Sequence, residues 1–303
     1  MAELAETGAS FRGARLRLSA ALWRRPWLKL ALLLATPVLA FAVVYLGSLA
    51  SLFISAFWQV DAFTGKVVHH WTFSNFSSLY HESVYREIAL RTLWMAAAVT
   101  ATDIVLAFPL AYFMARVAPP RLRAVLFVAV LLPLWSSYLV RIYAWRTILA
   151  KDGALNWALN GIGLPDAGLA YTNTAMWIVF SYVWLPFMVL PVYAALERIP
   201  DSYLEASADL GGRSWRTFRD VILPLALPGI VAGSIFTFSL TLGDFITPAL
   251  VGGAGSAFIG NIVEEYIGIN GNVPFAAAFA TVPVVVMAIY LIIARRLGAF
   301  EAV

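Results

Sequence analysis

The chain has 303 residues, 61% hydrophobic and only 13% charged, with a mean hydropathy of +0.81. An ordinary soluble domain carries about 25% charged residues, so that class is excluded and a membrane protein is indicated. Cysteine is absent, which removes a disulfide framework and any thiolate metal site, and the formal charge of +4 acquires meaning only once it is divided between two sides of a membrane.

Residues 1–27 are polar and then basic, with Arg12, Arg15, Arg17, Arg24 and Arg25. The apolar run that follows, over about 28–55, is too long for the core of a signal peptide and long enough to cross a ~30 Å hydrocarbon layer. It reads as a first transmembrane helix. Five more runs of suitable length and apolarity lie near 88–115, 124–149, 174–196, 229–251 and 275–294. None shows the alternating ten-residue segments of a membrane barrel. The expected fold class is therefore an all-α membrane protein with six transmembrane helices, residues 28–303 forming the membrane domain. The third run is the least uniform, because it contains Arg141 and Arg146.

Basic residues orient these spans. With the N-terminus inside, the cytoplasmic segments carry the N-terminal arginines and Lys29, then Arg116, Arg121 and Arg123, then Arg198, Arg213, Arg216 and Arg219, and finally Arg295 and Arg296. The outer loops hold Lys66, Arg86 and Lys151. By the positive-inside rule both termini and the loop 198–227 are expected in the cytoplasm. The outer loops carry Asp61, Glu82, Glu87, Asp152, Asp166, Glu264 and Glu265. An acidic mouth concentrates a cationic solute, but the same acids are also what remains when bases are kept inside.

Loop 198–227 is a polar island between two apolar spans. Ser202-Tyr203-Leu204-Glu205 has the form of a capping box, which predicts a helix starting near Ser202. Gly211 can supply the left-handed residue that ends it, Gly212 adds freedom, and Ser214 is a second start signal. Pro224 and Pro228 are expected to close the segment. The prediction is two short helices at a glycine elbow, with Leu204, Leu210, Trp215 and Phe218 as their apolar face. An amphipathic linker lying on the membrane surface is the plainer alternative.

Within the spans, Asp103, Asp244, Arg141 and Arg146 stand out, since a charge at membrane depth costs at least ~2.5–3.5 kcal/mol and marks a pathway or a partner. Counting about 1.5 Å per residue puts Asp244 and Arg141 at similar depth in the outer half, so Asp244 can pair with Arg141 or face a solute. Asp103 lies near mid-span with no evident basic partner. Trp135, Tyr138, Tyr143, Trp145, Tyr182, Trp184 and Phe187 surround these charges. Their rings can hold cations, although helix packing or an interfacial belt is the commoner explanation for any one of them. Pro37, Pro109, Pro133, Pro186, Pro191, Pro248 and Pro283 interrupt the spans without deciding between a rocking transporter and a static bundle.

No H-E-x-x-H, no G-x-S-x-G and no paired acidic motif occurs in the spans, so an intramembrane enzyme lacks its constellation. There is no G-x-x-x-x-G-K-[ST] either; this chain has no P-loop to cradle ATP phosphates, and energy must come from another chain.

Glu205, Ala206, Gly211, Leu223 and Pro224 match in register the EAA loop of the membrane subunits of ABC-type importers, with Ser207 standing for the second alanine and Val221 for isoleucine. The resemblance extends over nearly the whole chain after the first span. Arg91-Thr92-Leu93-Trp94, Pro109-Leu110-Ala111-Tyr112-Phe113, the run Leu132 to Arg141, Leu185-Pro186-Phe187-Met188-Val189-Leu190-Pro191 and Leu242-Gly243-Asp244-Phe245-Ile246-Thr247-Pro248 are similar to permeases of the spermidine/putrescine type. That resemblance implies a type I importer fold in a bacterial inner membrane, with alternating access and polyamines as the expected cargo. Related permeases serve other small organic solutes and metal ions, which is the alternative cargo. It implies a second similar permease, two cytoplasmic ATPase subunits that bind ATP and Mg, and an extracytoplasmic solute-binding protein, with membrane lipid around and no nucleic acid. Leu204, Glu205, Ala206, Leu210, Gly211, Trp215, Phe218, Leu223 and Pro224 are then the expected ATPase-coupling residues. Asp244, Asp103, Trp135, Tyr138, Arg141, Tyr182 and Trp184 are the expected solute pathway. A secondary transporter or channel also has six spans and buried charges, but has no use for a capped polar helix pair facing the cytoplasm; it would transport without ATPase subunits.

Overall fold

The computed structural model describes residues 26–61 and 63–296, and the basic residues Arg12 to Arg25 of the N-terminal segment lie outside them. Two units are distinguished, one ending at Ser55 and one running from Ala56 to Val303. In the first, α1 runs over 26–55 as Pro26–Ala40, a π-helical stretch Phe41–Leu46 and Gly47–Ser55, without interruption at Pro37.

In the second unit a short antiparallel pair, β1 (Gln59–Val60) with β2 (Val67–Val68), precedes α2 (Ser74–His81). Then follow α3 (Ser83–Val117), α4 (Pro120–Leu131), α5 (Tyr138–Leu149), α6 (Ala154–Gly161), α7 (Asn173–Glu197), α8 (Asp201–Asp209), α9 (Ser214–Gly243), α10 (Ile246–Val251), α11 (Ile259–Gly268) and α12 (Val273–Arg296). Among the described residues, five helices are long and apolar enough to cross a membrane, and six if α4 and α5 together count as one broken span. The expected all-α membrane fold is thus present.

The centre of the unit is α7. It starts where the Thr172 hydroxyl accepts the Ala175 N–H at 3.1 Å, which satisfies one of the open donors of the first turn. Its most apolar stretch is 61% buried, against 22% for α12, because it packs between α3 and α9. Gly229 and Gly233 on α9 permit the close crossing. A Cβ at Gly229 would lie 2.5 Å from the Pro191 carbonyl, and one at Gly233 would lie 2.7 Å from Met188 Sδ. Small residues four apart let two helical backbones meet, and lipid-phase association relies on such packing.

Three span expectations need correction. The run 124–149 is not one helix: α4 tightens into a 3₁₀ turn, Leu132–Trp135, and the chain bends by 95° before α5. Pro133 cannot donate a backbone hydrogen bond, and the Ser136 N–H and hydroxyl both turn back to its carbonyl, at 3.2 and 2.7 Å. The run 229–251 is broken at Asp244 and Phe245, between α9 and α10. Conversely, Pro224 and Pro228 close nothing, because α9 continues through both. A π-helical stretch, Phe218–Ile222, ends two residues before Pro224 and has already abandoned the i to i−4 bonding that the proline would interrupt.

Candidate functional site

Asp244 occupies the break between α9 and α10 in an extended conformation and is 8% exposed. Its Oδ1 accepts the Ile246 N–H at 2.8 Å, the usual way a carboxylate turns a chain into a new helix. Its Oδ2 accepts the Thr247 hydroxyl at 2.7 Å and the Tyr138 hydroxyl from the start of α5. Tyr138 and Thr247 oxygens are themselves 2.9 Å apart. On the far side of the break, Asn261 of α11 donates to the Phe245 carbonyl at 2.7 Å, and Gly260 lets that turn close, since a Cβ there would lie 3.0 Å from Phe245 Cβ.

Tyr138 also stacks on Trp184 of α7, with centroids 5.5 Å apart and planes 18° from parallel. Trp184 leads to Phe187 at 6.0 Å and Phe187 to Phe236 at 6.4 Å, so an aromatic series runs from Asp244 across α7 to α9. Trp184 Nε1 is buried without a partner among the described residues. The set unites a carboxylate, two hydroxyls and π faces, which together suit an ammonium group.

The structure does not pair Arg141 with Asp244; no ion pair between them exists among the described residues. The Arg141 guanidinium carbon lies instead 5.9 Å from the Tyr138 ring centroid, and its Nε and Nη1 are buried without acceptors. Asp103 is fully buried in α3 and, among the described residues, neither of its oxygens has a partner, so it stands apart from the Asp244 cluster. Trp135 is 84% exposed and belongs to the bent turn rather than to the aromatic series. Tyr182 packs on Trp145 at 5.2 Å. Of the residues expected on a solute pathway, Asp244, Tyr138, Trp184 and Arg141 are therefore brought together, and Asp103, Trp135 and Tyr182 are not. Thr247 and Asn261 complete the site; their signal in the sequence is the Asp-x-x-Thr spacing of a helix start and nothing at all, respectively.

At the Glu205 loop, α8 begins at Asp201 after Pro200, so the expected capping box at Ser202 is not formed. Pro200 has already fixed the extended entry to the helix, which leaves Ser202 inside the first turn. The other end is as expected: Gly211 has φ +78°, its N–H reaches the Ala208 carbonyl at 2.9 Å, and the Gly212 N–H reaches the Ser207 carbonyl at 2.8 Å. These are the paired bonds of a Schellman ending. The second element is not a short helix but the first turns of α9, tied to α8 where Ser207 Oγ and Thr217 Oγ1 lie 2.8 Å apart.

The expected apolar face divides in two. Leu204 packs into the core formed by α3, α7 and α9, and Phe218 sits edge-on to Phe108 of α3 at 5.5 Å. Leu210 is 88% exposed and Trp215 71% exposed, the latter stacked on Phe218 at 5.4 Å. Glu205 and Ala206 are exposed, Leu223 is on the surface of α9, and Pro224 follows it. A cleft of about 400 Å³ between α8 and α9 is lined by Tyr203, Ala206, Ser207, Leu210, Gly212 and Arg216, among others. Sequence reasoning missed Arg116 here. It bonds Asp201 at 2.7 Å and the Leu196 carbonyl at 2.6 Å.

Residues 107–299 match the family profile described as binding-protein-dependent transport system inner membrane component. The chain is 50% identical over 299 residues to the inner membrane ABC transporter permease protein YdcU of Escherichia coli strain K12, covering 94% of this chain and 95% of that protein. It is 34% identical over 256 residues to the spermidine/putrescine transport system permease protein PotB of the same organism, covering 84% and 91%. With PotB of Haemophilus influenzae the identity is 33% over 227 residues, covering 74% and 79%. Among solved structures, a bacterial alginate ABC transporter in complex with its alginate pentasaccharide-bound periplasmic protein aligns with a TM-score of 0.71 at 18% identity, covering 93% of this chain and 97% of that one. The MetNI methionine ABC transporter in an inward-facing conformation aligns with a TM-score of 0.53 at 20% identity, covering 69% and 92%.

Proposed function

The chain belongs to the family of binding-protein-dependent transport system inner membrane components, and on that premise we propose that it carries polyamines such as spermidine and putrescine into the cell. Family membership makes it a permease subunit of an ABC importer, which decides against a secondary transporter or a channel. The cargo reading rests on the 33–34% identity to spermidine/putrescine permeases over most of the chain. The cluster of Asp244 with the Tyr138–Trp184 stack supports it, since a carboxylate beside π faces suits a flexible polycation. YdcU, at 50% identity, carries no cargo in its name, and the alternative is another small organic solute or a metal ion served by the same machinery.

In this reading the chain pairs with a second, similar permease, two cytoplasmic ATPase subunits and an extracytoplasmic solute-binding protein. Both termini and the Glu205 loop face the cytoplasm. The ATPase subunits hold ATP and Mg; this chain hydrolyses nothing. The loaded binding protein docks on the outer loops, and closure of the ATPase pair pushes on the unit from Leu204 to Pro224. Exposed Leu210 and Trp215 supply the apolar contact, and Glu205, Ala206 and Gly211 shape the α8 end that enters the ATPase groove. Leu223 and Pro224 carry the push into α9, whose close crossing with α7 makes the pair move together. Solute then passes the Asp244 break, and ATP hydrolysis resets the helices.

The test is reconstitution of the complete complex in vesicles, with ATP inside the ATPase-facing compartment and the binding protein presented with labelled spermidine, putrescine, an amino acid or a divalent metal. Uptake and ATPase stimulation by the polyamines are expected. Stimulation by another solute with none by polyamines would overturn the cargo.

A further inference from the structure

The end of the bundle that carries the Glu205 loop is joined by one guanidinium. Arg116 lies in the π-helical stretch, Phe113–Val117, that ends α3, and its side chain is only 13% exposed. Nη2 donates to the Leu196 carbonyl at 2.6 Å and to the Ile199 carbonyl, while Nη1 donates to Asp201 Oδ1 at 2.7 Å. Leu196 is in the last turn of α7 and Ile199 two residues beyond its end, where a positive charge complements the helix dipole. Asp201 opens α8. A single planar group thus connects α3, α7 and α8, which a lysine, having no rigid fork, cannot do.

The bonds differ in how firmly they hold. Those to the carbonyls are partly buried and fix Arg116 to α7. Asp201 is 80% exposed, so its contact competes with water and can open and close. Two π-helical stretches flank the arrangement, one containing Arg116 and one, Phe218–Ile222, at the start of α9, where Phe218 meets Phe108 of α3. Such local distortions are found where helices yield.

We propose that Arg116 is the positioning residue through which movement of α8 reaches α3 and α7 during the ATP-driven cycle. The proposal rests on the coupling role assigned above to the Glu205 loop. Arg116 lies outside the Asp244 cluster; it keeps α8 in step with α3 and with α7, the helix that carries Trp184 and Phe187 of the aromatic series.

The experiment uses the whole reconstituted complex with its loaded binding protein, and reads solute moved per ATP hydrolysed together with assembly of the ATPase subunits. Arg116→Ala and Arg116→Lys are both expected to assemble and hydrolyse ATP while the ratio falls about tenfold, a typical size for coupling between sites. Asp201→Ala, an exposed change that does not threaten folding, is expected to lower the ratio in the same direction by less. An unchanged ratio in Asp201→Ala together with a lysine variant that restores both assembly and ratio would assign Arg116 a purely structural role and overturn the proposal. So would a wild-type ratio in Arg116→Ala. If neither Arg116 variant assembles, the Asp201→Ala ratio decides: reduced supports the proposal, unchanged overturns it. A wild-type complex with no binding-protein-stimulated, ATP-driven transport would instead sink the coupling reading itself, and the proposal with it.

Discussion

Tyr138 donates its hydroxyl hydrogen to Asp244, although the two residues are separated by 106 positions; each sits at a helix break, Tyr138 just after the α4–α5 bend and Asp244 between α9 and α10. The bond closes the broken α9–α10 span onto the start of α5, just past the bend that follows α4. Asp244 also receives the Ile246 N–H and the Thr247 hydroxyl, so its charge is met by neutral donors and not by Arg141.

That arrangement predicts the outcome of a double substitution. Asp244→Asn replaces an acceptor oxygen by an NH₂ group, which can accept from neither Tyr138 nor Thr247. Losing hydrogen bonds to a charged group costs about 1.5–3 kcal/mol each. Arg141→Gln should relieve none of it, because the two residues are not paired. Tyr138→Phe should show a smaller loss. Thermal unfolding of the purified variants in detergent checks this, and recovery of stability in the double variant would contradict the geometry.

Much of this was legible in the sequence because hydropathy needs no geometry. Long apolar runs announced the spans, and Gly211 announced a left-handed residue because few others adopt that conformation. Hydropathy is blind to the direction of the backbone, however: Pro133 and Pro248 mark where the spans weaken, but not that the chain turns by 95° at Ser136–Ser137 or leaves the helix at Asp244. Counting along the helices puts Asp244 and Arg141 at similar depth, and both do meet Tyr138, but a depth count is silent on whether they pair. Ser202 looked like a cap only because Pro200, two residues earlier, was not credited with starting the helix. In the sequence Arg116 is one more cytoplasmic base, since its main partners are backbone carbonyls 80 and 83 positions away and carry no side-chain signature.

The α7–α9 crossing predicts an order among glycine substitutions. At Gly229 a Cβ would meet the Pro191 carbonyl and Ala195 Cβ at 2.5 Å, and a backbone carbonyl cannot turn aside. At Gly233 the first obstacle is Met188 Sδ at 2.7 Å, a flexible group, with Met188 Cα next at 3.0 Å. Overpacking costs about 1–3 kcal/mol. Gly229→Ala should therefore lie at the upper end and Gly233→Ala below it, measured as the fall in melting temperature. The reverse order would mean that the helices separate rather than that the side chain yields.

The orientation can be read with single cysteines in this cysteine-free chain. Ser256 lies on the loop after α10 but is a poor reporter, because it is buried and bonds Asn173 at 3.0 Å. Ala254, two residues away, is exposed, as is Ser214. An impermeant thiol reagent added to intact cells should label Ala254→Cys and leave Ser214→Cys unmodified until the membrane is opened. Labelling of Ser214→Cys from outside would reverse the topology and remove the Glu205 loop from the reach of any cytoplasmic ATPase.

Gly211 and Gly212 are adjacent but fail differently, and the difference isolates the coupling role. A Cβ at Gly211 would meet nothing within 4 Å, so the only obstacle is its φ of +78°. Residues with a side chain pay roughly 1–2 kcal/mol there, asparagine least and β-branched residues most. At Gly212 a Cβ would lie 2.6 Å from the Ser207 carbonyl oxygen and hydroxyl, which is a collision in the elbow itself. Gly211→Asn should keep the Schellman ending and support transport close to wild type. Gly211→Val should insert into the membrane at normal levels, because the spans are untouched, yet fail to assemble with the ATPase or to be driven by it. Co-purification of the ATPase subunits and uptake in vesicles read the two steps separately. A Gly211→Val complex that transports at the wild-type rate would show that α8 couples without its glycine end, and the coupling role given to this loop would be wrong.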